Sequence, residues 1–75
     1  MTPRDRLHVL RRLFQEQPGP IRTGMAHRLY LAKGIATQRS TARQDLEALV
    51  AQGLVYATGP RDNRMYWLRS VGGGR

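Results

Sequence analysis

Proline and glycine break this chain often enough to forbid any long element. The stops are "QPGP" at 17–20, Lys33-Gly34 and Gly53, each built from residues that end helices. Between the stops, apolar residues recur at helical spacing. The pattern predicts helix 1 over 3–16, helix 2 over 24–32 and helix 3 over 38–52. After Gly53 the pattern changes. Two apolar runs, Leu54–Ala57 and Met65–Leu68, flank a polar turn, which predicts a hairpin with strands over 54–58 and 64–69. Ile21-Arg22 reads as a minimal extended piece between helices 1 and 2.

Local signals refine this outline. Thr2 can cap helix 1, Pro3 suits its first position and Asp5 suits its positive end. Leu7, Leu10 and Phe14, with Val9 and Leu13, make its apolar side. Thr23 is the expected cap of helix 2, whose apolar face reads as Met25, Ala26, Leu29 and Ala32 with Tyr30 alongside. Thr37 is the expected cap of helix 3. There Ala42, Leu46, Leu49 and Val50 form one stripe, and Ser40, Arg43, Gln44, Glu47 and Ala51 lie opposite. In the hairpin, alternation points Tyr66 and Leu68 to the core and Met65 and Trp67 away from it. The fold class is α+β. Residues 1–70 are expected to form one domain, and 71–75 a flexible tail.

A chain of 75 residues fits one small domain, which buries only about 60% of the surface its unfolded chain exposes. With no cysteine, disulfides and thiolate metal sites are excluded. His8 and His27 fall on different predicted helices without ligand spacing, so no metal and no cofactor is expected. No apolar run is long enough to span a bilayer, and charges interrupt every would-be signal-peptide core near the N-terminus. Catalysis finds no support. The acids are few and scattered, Asp45 and Glu47 face different directions on a helix, and "GGG" at 72–74 lies in the tail.

Charge is more informative. Thirteen Lys and Arg stand against five Asp and Glu, for a net charge of +8, and twelve of the thirteen cations are Arg. A high-GC genome accounts for Arg over Lys but not for cations over anions. A polyanion is the simplest cause of that excess, and Arg forks onto phosphate or guanine. The predicted hairpin tip carries Arg61 and Arg64 beside Asp62-Asn63. Turn geometry accounts for Asp62 and Asn63 but not for two arginines away from any core.

The run "RSTARQDLEALVAQGLVYATG", 39–59, resembles the recognition helix and first wing strand of winged helix-turn-helix transcription regulators. The matching residues are Ser40-Thr41, Leu46, Leu49 and Gly53-Leu54-Val55. "PRDNRMYWL", 60–68, is similar to the wing of the MarR-type branch, where an Asp two residues before an Arg holds that Arg toward the minor groove; here these are Asp62 and Arg64. Gln38 stands where the family has a small polar cap, and the extra dimerisation helices of the MarR type have no counterpart in 75 residues. The resemblance implies a winged helix-turn-helix of three helices plus a C-terminal β-hairpin wing.

It also implies a sequence-specific, double-stranded DNA-binding transcription regulator, a repressor that occupies its promoter, and not an enzyme. Helix 3 would contact DNA through Thr37, Gln38, Arg39, Ser40, Thr41, Arg43 and Gln44. Its Arg and Gln suit base edges, and its short hydroxyls suit phosphate. The wing would use Arg61, Asn63 and Arg64. Arg22 and Lys33, at the two ends of helix 2, are candidates to clamp the backbone. Arg4, Arg6, Arg11 and Arg12 on helix 1 are expected only to raise the positive field. The expected partners are double-stranded DNA and further copies of the chain, as a homodimer or a cooperative array, with no membrane. The expected location is cytoplasmic, on the nucleoid. Two other readings stay open: a plasmid or phage accessory factor in replication, partition or excision, and a winged-helix protein-interaction module.

Overall fold

The computed structural model describes residues 2–17, 19–35 and 38–69. Its elements run α1 (Pro3–Glu16), β1 (Ile21–Arg22), α2 (Thr23–Lys33), α3 (Arg39–Ala51), β2 (Val55–Thr58), a single 3-10 turn (Arg61–Asn63) and β3 (Met65–Leu68). The result is an α+β arrangement of three helices and one three-stranded antiparallel sheet. The predicted elements are all present, each within about two residues of its expected bounds.

Helix 1 starts as its sequence suggests. The Asp5 N–H donates to Thr2 Oγ1 at 3.2 Å, and the Thr2 N–H donates to Asp5 Oδ2 at 3.3 Å. This reciprocal capping box satisfies two donors that would otherwise be orphaned. Hydrogen bonding with Thr2, side chain first and backbone second, holds the Asp5 carboxyl below its ordinary range.

Helix 2 departs from expectation at its start. Thr23 is its first helical residue, not its cap; Arg22 takes the cap position and makes no side-chain capping bond. The reason is the sheet: Ile21 and Arg22 pair with Tyr66 and Met65, so the chain stays extended through Arg22 and turns helical at once. At the other end Gly34 adopts φ 66°, a left-handed conformation that costs glycine little. The Ile35 N–H then reaches back to the Tyr30 carbonyl at 2.9 Å, and the Gly34 N–H to Leu31. These two bonds make a Schellman motif. Helix 3 ends in the same way, with Leu54 N–H on the Leu49 carbonyl and Gly53 N–H on Val50. Ile35 and Leu54, each just past its helix, tuck against the core. Helix 3 begins at Gln38, which occupies the cap position without a side-chain bond; Thr37, the expected cap, lies outside the described residues.

The sheet order is β1-β3-β2, with β3 central. Tyr66 sits between Ile21 on one side and Ala57 on the other. All three are turned to the helices, where Leu10, Phe14, Ala26, Tyr30, Leu46, Leu49 and Val55 complete the buried cluster with Ala42. Full burial of a side chain of Leu or Phe size contributes about 1.5–3 kcal/mol. Two sequence expectations fail here. Tyr30, not Ala32, belongs to the buried face of α2; Ala32 is exposed. Leu68 shares the pleat face of Tyr66 yet is 36% exposed, because it pairs with Val55 at the end of the ladder and borders an open groove with Phe14, Gln15 and Leu49 rather than the closed core. On the outer face Trp67 stacks on its cross-strand neighbour Tyr56, ring centroids 6.4 Å apart, and its indole N–H donates to Thr58 Oγ1 at 2.9 Å.

A polar knot joins the three helices. Asp45 of α3 is only 5% exposed. Its Oδ2 accepts from Arg6 Nε at 2.8 Å and from the Tyr30 hydroxyl at 2.7 Å, and its Oδ1 accepts from Arg6 Nη2 at 3.4 Å. Arg6 is therefore not merely part of the positive field of helix 1. It is an internal partner, and the bond to Asp45 raises its already high pKa. Burial first, and the bond to Asp45 second, push the Tyr30 hydroxyl well above the ordinary phenol range.

Candidate nucleic-acid interface

Helix 3 buries one side and exposes the other. Ala42, Asp45, Leu46 and Leu49 point inward. Ser40 and Glu47 each lie three and four residues from Arg43 and Gln44, so the four share the opposite stripe. Arg43, Gln44 and Glu47 form one wall of a groove whose other wall is the turn and root of the β2–β3 hairpin, with Arg61, Asp62 and Arg64. A second groove continues from it. It runs past Asn63 and Arg39 to the start of α2, where Arg22, Thr23, Gly24 and Arg28 line it. The two share Arg43, Arg61, Asp62 and Arg64, so they form one continuous surface.

That surface gathers six arginines: Arg22, Arg28, Arg39, Arg43, Arg61 and Arg64. Only two carboxylates, Glu47 and Asp62, face them. The arginines come from four places far apart in sequence: β1, α2, α3 and the hairpin. The Arg39 guanidinium lies over Gly24 in the first turn of α2, about a van der Waals distance from where a Cβ would stand. The hairpin turn is held by the Asn63 N–H on the Pro60 carbonyl at 3.0 Å. Gly59, at φ 87°, passes so close to the Asn63 carbonyl that a Cβ would come within 2.9 Å of it.

The two carboxylates differ. The resemblance implies that Asp62 holds Arg64, and the structure corrects this. Arg64 Nη1 donates instead to Glu47 Oε2 at 3.1 Å, and Asp62 makes no ion pair among the described residues. The reason lies in the hairpin. Asp62 is in the exposed 3-10 turn, whereas Arg64 has already entered the extended segment leading into β3, from which it and Tyr66 both reach Glu47 of α3. The same Glu47 oxygen also accepts from the hydroxyl of Tyr66. Burial first and this bond second push the Tyr66 hydroxyl up to about 12.

Of the residues singled out in the sequence, Arg39, Arg43, Gln44, Arg61, Asn63, Arg64 and Arg22 meet on this surface. Gln38 and Ser40 are exposed at the start of α3, where the Ser40 hydroxyl donates to Gln38 Oε1 at 3.4 Å. They flank the grooves without lining them. Thr41 is half-buried, and Thr37 lies outside the described residues. Lys33 is not on this surface. It borders a groove between α1 and α2 with His8, Arg12 and Glu16. Arg28 is a member that sequence reasoning missed. Its signal was its place one turn after Gly24 and out of phase with the buried Ala26 and Tyr30. Among the described residues no three or more His, Cys, Asp or Glu side chains gather as metal ligands, and no helix is long and apolar enough to cross a membrane. No protein-family model, curated protein or solved structure matches the chain.

Proposed function

We propose that this chain is a winged helix-turn-helix protein that binds double-stranded DNA sequence-specifically and regulates transcription, acting as a repressor by occupying its promoter. In this reading α2 and α3 are the helix-turn-helix pair, and the β2–β3 hairpin is the wing. One observation carries it. The exposed arginines of α3 and those of the hairpin border the same grooves, which is where a major groove and its flanking backbone would lie.

Helix 3 enters the major groove. Arg39 and Arg43 pair with guanine O6 and N7, and Gln44 with adenine N6 and N7. Gln38, Ser40 and Thr41 lie near the phosphates at the groove edge. Arg61, Asn63 and Arg64 reach the adjacent minor groove or backbone, while Arg22 and Arg28 hold the strand on the other side of α3. One such face spans few base pairs, so useful affinity calls for a homodimer or a cooperative array on repeated sites.

Selection from random duplex DNA, with sequencing of the retained pool and salt varied, tests this. The expected result is an enriched motif and a steep fall of affinity with salt, with a slope near −0.9 per phosphate neutralised. Salt-dependent binding without a motif would replace the regulator with an accessory or architectural factor. No binding of duplex near physiological salt would overturn the reading.

A further inference from the structure

Glu47 is out of place on a surface made to attract phosphate. It stands on the exposed stripe of α3, one turn beyond Arg43 and Gln44, and lines the groove against the hairpin. Its side chain is 40% exposed and that of its partner Arg64 is 34%. One oxygen, Oε2, receives both Arg64 and Tyr66. A carboxylate is not needed to satisfy a tyrosine hydroxyl; a neutral amide would serve. Its charge has two consequences. It occupies an arginine that phosphate would otherwise take, and it repels any phosphate entering the groove.

We propose that Glu47 is a specificity-determining residue: its carboxylate selects a cytosine opposite the third turn of α3. The inference rests on the DNA-binding reading above. On a cognate site, Arg64 leaves Glu47 for a phosphate, and the cytosine N4 amino group donates to the carboxylate in its place. On guanine or thymine no amino group is offered, so Arg64 stays on Glu47 and its phosphate contact is forgone; on adenine the N6 donor comes beside the N7 lone pair, which repels the carboxylate, so the complex is weakened. Glu47 thereby disfavours wrong sequences more than it favours the right one, as specificity often requires.

The test compares wild type with Glu47→Gln, which keeps the shape and can still accept from Tyr66. Asp62→Asn makes the same change of net charge without touching the pair of Glu47 and Arg64. The measurements are affinity for random duplex, salt slope and the sequence selected from a random pool. The expected result for Glu47→Gln is a gain of about two- to fivefold on random duplex, as expected for freeing one partly exposed ion pair. Its salt slope should steepen by about 0.9, one added phosphate contact. The preference at that one position should shift from cytosine toward adenine, whose N6 and N7 suit an amide, while the rest of the motif persists. Asp62→Asn is expected to keep the cytosine preference. An unchanged motif from Glu47→Gln, whether or not affinity rises, would overturn the assignment while leaving the DNA-binding reading in place. Equal effects from both variants would reduce Glu47 to its charge alone. Failure of the wild type to bind duplex would overturn both.

Discussion

Replacing Asp45 with alanine tests the internal logic of the helical layer. The substitution removes the acceptor of two Arg6 nitrogens and of the Tyr30 hydroxyl at a site only 5% exposed. Breaking a buried ion pair by deleting one partner costs about 3–5 kcal/mol, and stranding a buried hydroxyl costs about 1–3 kcal/mol. Two features place this case low in those ranges. The Arg6 side chain is 21% exposed and regains part of its hydration. The Tyr30 hydroxyl has the Arg6 carbonyl, at 3.3 Å, as a fallback acceptor. The expected loss is about 3–4 kcal/mol. A chain of 75 residues is expected to have about 4–11 kcal/mol in total, so the variant loses about a third or more of its stability. Urea melts followed by far-ultraviolet circular dichroism measure the loss directly. The triple change Arg6→Met, Tyr30→Phe, Asp45→Leu removes every charge and hydroxyl together, and is expected to recover most of the stability. A loss below about 1 kcal/mol for Asp45→Ala would show that the pair behaves as a surface ion pair and refute the reasoning. So would a triple variant less stable than the single one.

Other outcomes follow from the same geometry. Gly59→Ala puts a side chain on a residue at φ 87° and within 2.9 Å of the Asn63 carbonyl oxygen; it is expected to destabilise by at least about 1–2 kcal/mol in the same melts, and to weaken duplex binding by disordering the turn that carries Arg61. Arg28→Ala is expected to make the salt slope of duplex binding shallower by about 0.9, while Lys33→Ala, on the other side of α2, leaves both slope and affinity unchanged; equal effects in a salt titration would contradict the placement of the interface. Alkaline stability follows from the tyrosines. Tyr66 is raised to about 12 and Tyr30 is raised further, against an ordinary value of 10.0. The folded chain thus holds these protons more tightly than the unfolded one, so their contribution is whole below about pH 10 and is lost as pH rises toward the folded values. Denaturant melts at stepped pH are expected to be flat up to about pH 10 and to fall above it. Tyrosinate absorbance from Tyr30 and Tyr66 at pH 10, with the fold intact, would refute the prediction.

What the sequence discloses is what depends on neighbours a few residues away. The capping box of Thr2 and Asp5, the helix ends at Gly34 and Gly53, and the stripe of Ala42, Leu46 and Leu49 are all local patterns, and all could be read. The errors come from pairings over long separations. Asp45 looks like a stray acid until Arg6, thirty-nine positions away, folds back onto it. Asp62 looks like the natural partner of Arg64 because it is two residues distant, but the fold brings Glu47, seventeen positions away, to Arg64 instead. Thr23 has the chemistry of a cap, yet strand pairing with a segment far downstream assigns that position to Arg22. The candidate interface was legible in its α3 and hairpin residues because exposed arginines have no other local purpose there. Arg28 was not, because an arginine on the polar side of a short helix is unremarkable until the fold brings Arg39 and Arg64 to the same surface.

The order of the sheet also bears on how the chain comes to be made. β1 and β2 do not pair with each other; each pairs only with β3, the last of the three to be synthesised. While the ribosome is still translating, the helices can begin to associate, but Ile21 and Val55 have no strand to join until Met65–Leu68 leaves the exit tunnel. The exposed arginines of α3 would thus emerge before the hairpin root and Tyr66 are present to fix Glu47. The interface would be completed only once Met65–Leu68 has emerged, in the same step that closes the sheet.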